Sequence, residues 1–154
     1  MMSLCCDVLK TLAGKTLATA ESCTGGGIGE ALTAVSGSSA VYKGGIISYC
    51  NEIKHKLLGV DAFLLDTFGA VSAPVAEAMA VGARTMLVTD VAVSVTGLAG
   101  PGGDEFGNPV GMVFIGYADE TRTRVCQYHF SGDRETVRRQ AVSAALELVL
   151  ELNR

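Results

Sequence analysis

A chain of 154 residues fits one domain and leaves no room for two well-cored ones. At that size roughly 70% of the unfolded surface can be buried, so neither disulfides nor a structural metal are needed to hold a fold. With 49% hydrophobic and 18% charged residues the composition is globular rather than disordered. The net charge of −4 argues against a nucleic-acid surface, which needs clustered Lys and Arg.

No uncharged run exceeds 13 residues, and one such run, 91–103, contains Gly and Pro. A membrane-spanning helix needs ~20 apolar residues, so no membrane association is expected. The N-terminal MMSLCCDVLK has no basic n-region, and Asp7 and Lys10 interrupt any apolar core, so it does not read as a signal peptide. The cysteines Cys5, Cys6, Cys23, Cys50 and Cys126 are odd in number and lack metal-type spacing, and only His55 and His129 stand beside them. The expectation is reduced thiols, a cytoplasmic location and no metal.

In chain order, residues 3–13 read as a helix, with Leu4, Val8 and Leu12 at helical spacing and Gly14 as the stop. Lys15 to Ala20 reads as a short strand that empties into ESCTGGG, after which Ile28, Ala31, Leu32 and Val35 mark a helix. Gly44 to Cys50 reads as a second strand, and Asn51 as the cap of a helix that runs to Leu58 and stops at Gly59. Asp61 to Phe68 predicts a short helical turn, and Ser72 with Pro74 opens a longer helix to about Leu87. Val91 to Thr96 is a strong strand that ends in the glycine-rich loop 97–103. Val110 to Tyr117 and Thr123 to Phe130 predict an antiparallel pair, and Asp133 to Leu152 a final helix with Val137, Ala141, Ala144, Leu148 and Leu152 along one face. The sum is a single three-layer α/β domain, a mixed sheet flanked by helices.

Two phosphate motifs fail on inspection. Gly14-Lys15-Thr16 resembles the end of a P-loop, but Leu9 stands where its first glycine belongs, and Glu30 takes the third glycine's place in a Gly25-x-Gly27 dinucleotide pattern. Ser22 is the better candidate. Between a strand and a glycine-opened helix, the amides of Cys23, Thr24 and Gly25 point free N–H groups into the space that a serine nucleophile would share. On spacing alone, a plain helix cap by Ser22 or Thr24 is the simpler reading. Lys54 is available as a base if its pKa falls from about 10.4 towards ~7–8; otherwise it is a solvated helix residue. Cys23 reads as a rival nucleophile or a small core residue. The 97–103 loop, with Gly100, lets a ligand approach closely or is a surface turn. Arg134, Arg138 and Arg139 place cations near a helix start, against its dipole, which points to an anionic ligand or to a solvated face.

Several segments together resemble one family. AESCTGG (20–26), SGSSA (36–40), YCNEIK (49–54) with LGV (58–60), and GLAGP (97–101) with PVG (109–111) resemble the CinA C-terminal domain family; GAVS (69–72), FSGDR (130–134) and VRRQ (137–140) extend the likeness along nearly the whole chain. The resemblance implies an amidohydrolase that converts nicotinamide mononucleotide (NMN) to nicotinate mononucleotide and ammonia. It implies no cofactor, Ser22 as nucleophile, Lys54 as base and an active-site role for Tyr49. Substrate contacts are expected from Cys23, Thr24, Gly25, Gly26, Thr96, Gly100 and Arg138. Cys50 departs from the serine common at that place in the family. Some relatives carry a further N-terminal domain resembling molybdopterin-binding proteins, whose activity is not carried over. The rival expectation is a non-catalytic nucleotide-binding or regulatory module linked to competence or DNA damage.

A last expectation concerns association. Residues 141–152 carry only Glu147 and Glu151, four apart on one face, so the apolar circumference of the helix is wide. That width predicts a homodimer or a higher even-numbered oligomer.

Overall fold

Side chains alternate along a strand, and that alternation divides this protein's core in two. In the computed structural model, which describes residues 1–154, the order is α1 (Met2–Thr11), β1 (Leu17–Glu21), α2 (Gly27–Thr33), a single 3-10 turn (Ser38–Ala40), β2 (Tyr42–Ile47), α3 (Asn51–Leu58), α4 (Ala62–Phe68), α5 (Ala73–Leu87), β3 (Val91–Gly97), β4 (Met112–Ala118), β5 (Thr123–His129) and α6 (Arg134–Asn153). The sheet runs β2-β1-β3-β4-β5, with β2, β1 and β3 parallel and β4 and β5 antiparallel. Leu17, Val91, Val93, Val95, Val113, Ile115 and Tyr117 pack with α1, α2 and α6. Ala18, Ala20 and Ala92 point the other way, onto Leu58, Leu65, Val75, Met79 and Ala83 of α3, α4 and α5. The three-layer mixed sheet expected from the alternation of elements is therefore the observed fold. No helix is long and apolar enough to cross a membrane.

Most element limits fall where the punctuation residues put them. Gly59 closes α3 at φ +67°, Asp61 accepts the Phe63 amide at the start of α4, and Asp133 accepts the Thr136 amide at the start of α6. Two differ. Cys50, not Asn51, is the N-cap of α3, and it makes no side-chain cap bond. Strand β2 spans Tyr42–Ile47 rather than 44–50, because it is an edge strand paired only with β1: its last ladder bond is Ser48 N–H to Glu21 O, and the chain then leaves the sheet.

The wide apolar circumference of α6 has an internal explanation. Leu146, Val149 and Leu150 are all buried within the chain itself, in the cluster that α1 and the sheet share with α6. This face therefore gives no reason for self-association.

The topology also decides where a site can form. The crossover from β1 to β2 uses α2 on one face, and that from β2 to β3 uses α3, α4 and α5 on the other. β1 thus stands at a topological switch point, and such sheets bind ligands beyond the carboxyl ends of their strands. β4 begins and β5 ends at that same edge, so α6 starts there too.

The seat of α3 depends on one close approach. A Cβ at Gly82, within α5, would overlap the carbonyl oxygen of Leu58 at the end of α3. Helix propensity alone favours alanine there by ~1 kcal/mol. Overpacking against an immobile backbone oxygen costs ~1–3 kcal/mol, so Gly82→Ala is expected to lower the urea midpoint. An unchanged or raised midpoint contradicts this packing.

Candidate active site

Ser22 follows the last residue of β1 and remains tied to β3 through its N–H, which donates to Val95 O at 3.0 Å. The chain then turns sharply, with Gly25 N–H on Ser22 O at 3.0 Å. Gly25 and Gly26 take φ +59° and +104°, left-handed values that suit glycine and bring the chain round into α2. The N–H groups of Cys23 and Thr24 have no main-chain acceptor.

Lys54 comes from the first turn of α3 and is 1% exposed. Its Nζ donates to Ser22 Oγ at 3.0 Å and to Ser48 O at 2.7 Å. No carboxylate lies within ion-pair distance of it. Burial disfavours the ammonium and brings the pKa down from 10.5 to about 8. Burial pushes the neighbouring Cys23 thiol the other way, up to about 11, so it stays protonated and a poor nucleophile near neutrality. The two histidines lie elsewhere: His55 Nδ1 is 2.8 Å from Val60 O, and His129 Nε2 is 3.1 Å from Val110 O.

The Ser22 turn is not capped by Ser22 or Thr24. Gly26 is the N-cap of α2, and the carboxylate of Glu21 takes the helix amides instead. Its Oε1 accepts from Ile28 N–H at 2.8 Å and Thr24 Oγ1 at 2.7 Å, and its Oε2 accepts from Gly29 N–H at 3.1 Å and Thr19 Oγ1 at 3.3 Å. An acid among the apolar residues of a central strand was the available signal for Glu21, since such strands are covered on both faces.

A cleft of 480 Å³ opens over this pair, within the ~300–1,000 Å³ range of small-molecule sites. Its floor is Ser22, Cys23 and Lys54, and its rim includes Tyr49, Arg134 and Phe106. Thr96 and Gly100 line it as well, although the Thr96 hydroxyl already donates to Ala70 O at 2.7 Å. Tyr49 is 64% exposed; its hydroxyl accepts from Arg134 Nη2 at 3.1 Å and makes no bond to Ser22 or Lys54. Arg134 Nη1 also donates to Gly100 O at 2.6 Å, tying α6 to the 97–103 loop.

The structure thus gathers Ser22, Cys23, Tyr49, Lys54, Thr96 and Gly100 around one cleft. Thr24, Gly25, Gly26 and Arg138 do not line it. Thr24 is turned to Glu21, and Arg138 sits behind the turn with its guanidinium on Cys23 O and Thr24 O. The arginine that lines the cleft is Arg134, one helical turn earlier. Three arginines within six residues gave no means of telling which would face the ligand, because the answer depends on how α6 is rotated against the sheet.

Known proteins resemble this chain in sequence and fold. Residues 3–153 match the model of the CinA C-terminal domain. CinA-like proteins of Nostoc punctiforme and Thermosynechococcus vestitus are 49% and 51% identical over 86% and 88% of this chain. The chain spans about a third of the length of these curated relatives, 33% in both cases. Among solved structures, a competence/damage-inducible protein of Agrobacterium tumefaciens superposes with a TM-score of 0.96 at 38% identity, covering 99% of this chain and 95% of that one. A CinA superfamily protein of Escherichia coli gives 0.96 at 36% identity, covering 98% and 89%. A buried serine–lysine pair at the switch point and a family match along almost every residue lead to one statement: the chain belongs to the CinA C-terminal domain family.

Proposed function

We infer that this protein hydrolyses the carboxamide of a pyridine nucleotide, with nicotinamide mononucleotide as substrate. The observation that carries the reading is Lys54 Nζ at 3.0 Å from Ser22 Oγ, buried and lowered to a pKa of about 8 at the floor of the cleft. At pH 7 about one lysine in ten is then neutral, enough for a general base. In that form Ser48 O still accepts one Nζ hydrogen, and the lone pair is left to receive the Ser22 proton.

The reaction follows from this pair. Ser22 Oγ attacks the carboxamide carbon as its proton passes to Lys54 Nζ, forming a tetrahedral oxyanion. The unpaired N–H groups of Cys23 and Thr24 are the donors nearest to Ser22 for that charge. On collapse the C–N bond breaks, and the Lys54 ammonium returns its proton to the leaving nitrogen, which departs as ammonia. Lys54 then deprotonates a water that attacks the ester carbon. The tetrahedral adduct breaks at Ser22 Oγ, which recovers the proton, and nicotinate mononucleotide is released. Arg134, on the rim, is placed to meet the 5′-phosphate, with Tyr49 and Gly100 holding its guanidinium in place.

Three outcomes check this reading. Ser22→Ala is expected to abolish ammonia release from NMN while the melting temperature moves only a few degrees, since Ser22 caps no helix. Binding of NMN without ammonia release by the unaltered protein would favour a regulatory module instead.

The pH dependence follows Lys54. The kcat/KM for NMN should rise with pH through an apparent pKa near 8 and flatten above it. Stability moves in a linked way. The unfolded chain keeps a proton on this lysine up to about pH 10.5, the folded one only to about 8, so stability rises with pH between those values. Lys54→Met should therefore be inactive yet melt above the unaltered protein at pH 7, with the gap closing towards pH 10. A flat rate profile over pH 6–9, or Lys54→Met melting lower at pH 7, contradicts the role of this lysine.

The third check concerns the phosphate. Charge-assisted bonds of ~1.5–3 kcal/mol make nicotinamide riboside a substrate roughly 10- to 100-fold poorer than NMN in kcat/KM, and Arg134→Met should erase most of that preference. Equal kcat/KM values for the two substrates in the unaltered protein remove the phosphate site.

A further inference from the structure

Arg134 and Arg138 stand one turn apart on α6 and face different things. Arg134 lines the cleft, whereas Arg138, an exposed residue, lies behind the Ser22 turn, with Nε donating to Cys23 O at 3.0 Å and Nη2 to Thr24 O at 3.2 Å. No carboxylate lies within ion-pair distance of its guanidinium. A cation aimed at two consecutive backbone carbonyls fixes two consecutive peptide planes.

The peptide plane carries the consequence. The carbonyl of Cys23 and the N–H of Thr24 belong to one trans peptide and point in opposite directions. Holding Cys23 O towards Arg138 therefore fixes the direction of Thr24 N–H, which has no main-chain acceptor. The same residue is held from within, because the Thr24 hydroxyl donates to Glu21 Oε1 at 2.7 Å. The turn beside the nucleophile is thus clamped between an arginine outside and a carboxylate inside.

We propose that Arg138 is a positioning residue: through the Cys23 and Thr24 carbonyls it aims the Thr24 amide at the reacting centre, and it makes no contact with the substrate's phosphate. The role rests on the amidase reading above. An oxyanion donor acts only when it is oriented before the charge develops, and removing or misplacing one costs about 10²-fold in rate. Methionine at this position would keep the packing of the aliphatic stem and remove both donors.

The experiment compares the unaltered protein with Arg138→Met and Arg138→Lys on NMN and on nicotinamide riboside, alongside amide hydrogen exchange of residues 22–27. Arg138→Met is expected to lower kcat about 10²-fold with KM for NMN within about twofold. The kcat/KM for the riboside should fall by the same factor, since the loss does not involve the phosphate. Arg138→Lys, which retains a charged donor, recovers part of the rate. The amides of Gly25 and Gly27, bonded to Ser22 O and Thr24 O, should exchange faster in Arg138→Met. A loss confined to NMN and expressed in KM would make Arg138 a phosphate ligand and overturn the proposal, as would unchanged kinetics. If the unaltered protein releases no ammonia from either substrate, the amidase reading falls. The clamp is then judged by exchange alone: faster exchange in the turn upholds it, and unchanged exchange overturns it. If Arg138→Met does not fold, Arg138→Lys and Arg138→Gln carry the same comparisons.

Discussion

A glutamate side chain at 2% exposure, with no cation beside it, is the least expected feature of this core, and much else is arranged around it. Glu21 ends β1 and points into the layer shared with α2, where four donors surround its two oxygens. Two of these are amides at the start of α2, which have no partner within their own helix. The carboxylate thus satisfies the helix terminus, complements its positive end and joins strand to helix across a turn of five residues. That link, together with the Arg138 bonds on the outer side, restricts a glycine-rich turn that would otherwise accept many conformations. The order of the Ser22 turn depends on it.

Lys54 follows the opposite logic. Its burial opposes folding at neutral pH, because the folded state holds this proton less tightly than the unfolded chain does. The fold tolerates this through two short hydrogen bonds, to Ser48 O and Ser22 Oγ, and through the seat that Gly82 allows between α3 and α5. Both partners of Lys54 come from strand ends, one from β1 and one from β2, so the pair exists only when the parallel sheet has formed.

Helix α6 has two roles on one cylinder. Its apolar residues close the core over α1 and the sheet, and its first two turns deliver Arg134 to the cleft and Arg138 to the back of the Ser22 turn. The rotation that buries Leu146 and Val149 therefore also assigns the two arginines. Packing and site geometry are coupled in a single rigid element.

Elements with strong punctuation were legible from residues alone: Gly59 after α3, Pro74 in α5, Asp133 before α6 and the β-branched run of β3 all mark what the structure contains. The α/β class followed from their alternation. The candidate pair was only half legible. Ser22 was visible as a serine before a glycine turn, but residues 22 and 54 are joined by tertiary packing, and local spacing by itself reads Lys54 as a solvated helix residue. The family likeness, not the pattern, joined them. The wide apolar face of α6 has the same lesson: a sequence shows how much surface must be covered, and not by what. Local chemistry thus determined the elements and their ends, because caps, turns and periodicity act over a few residues. The tertiary structure alone decided that Lys54 is buried against Ser22, that Glu21 binds α2 and that Arg134 rather than Arg138 faces the cleft, because each depends on distances between segments that only the packed sheet brings together.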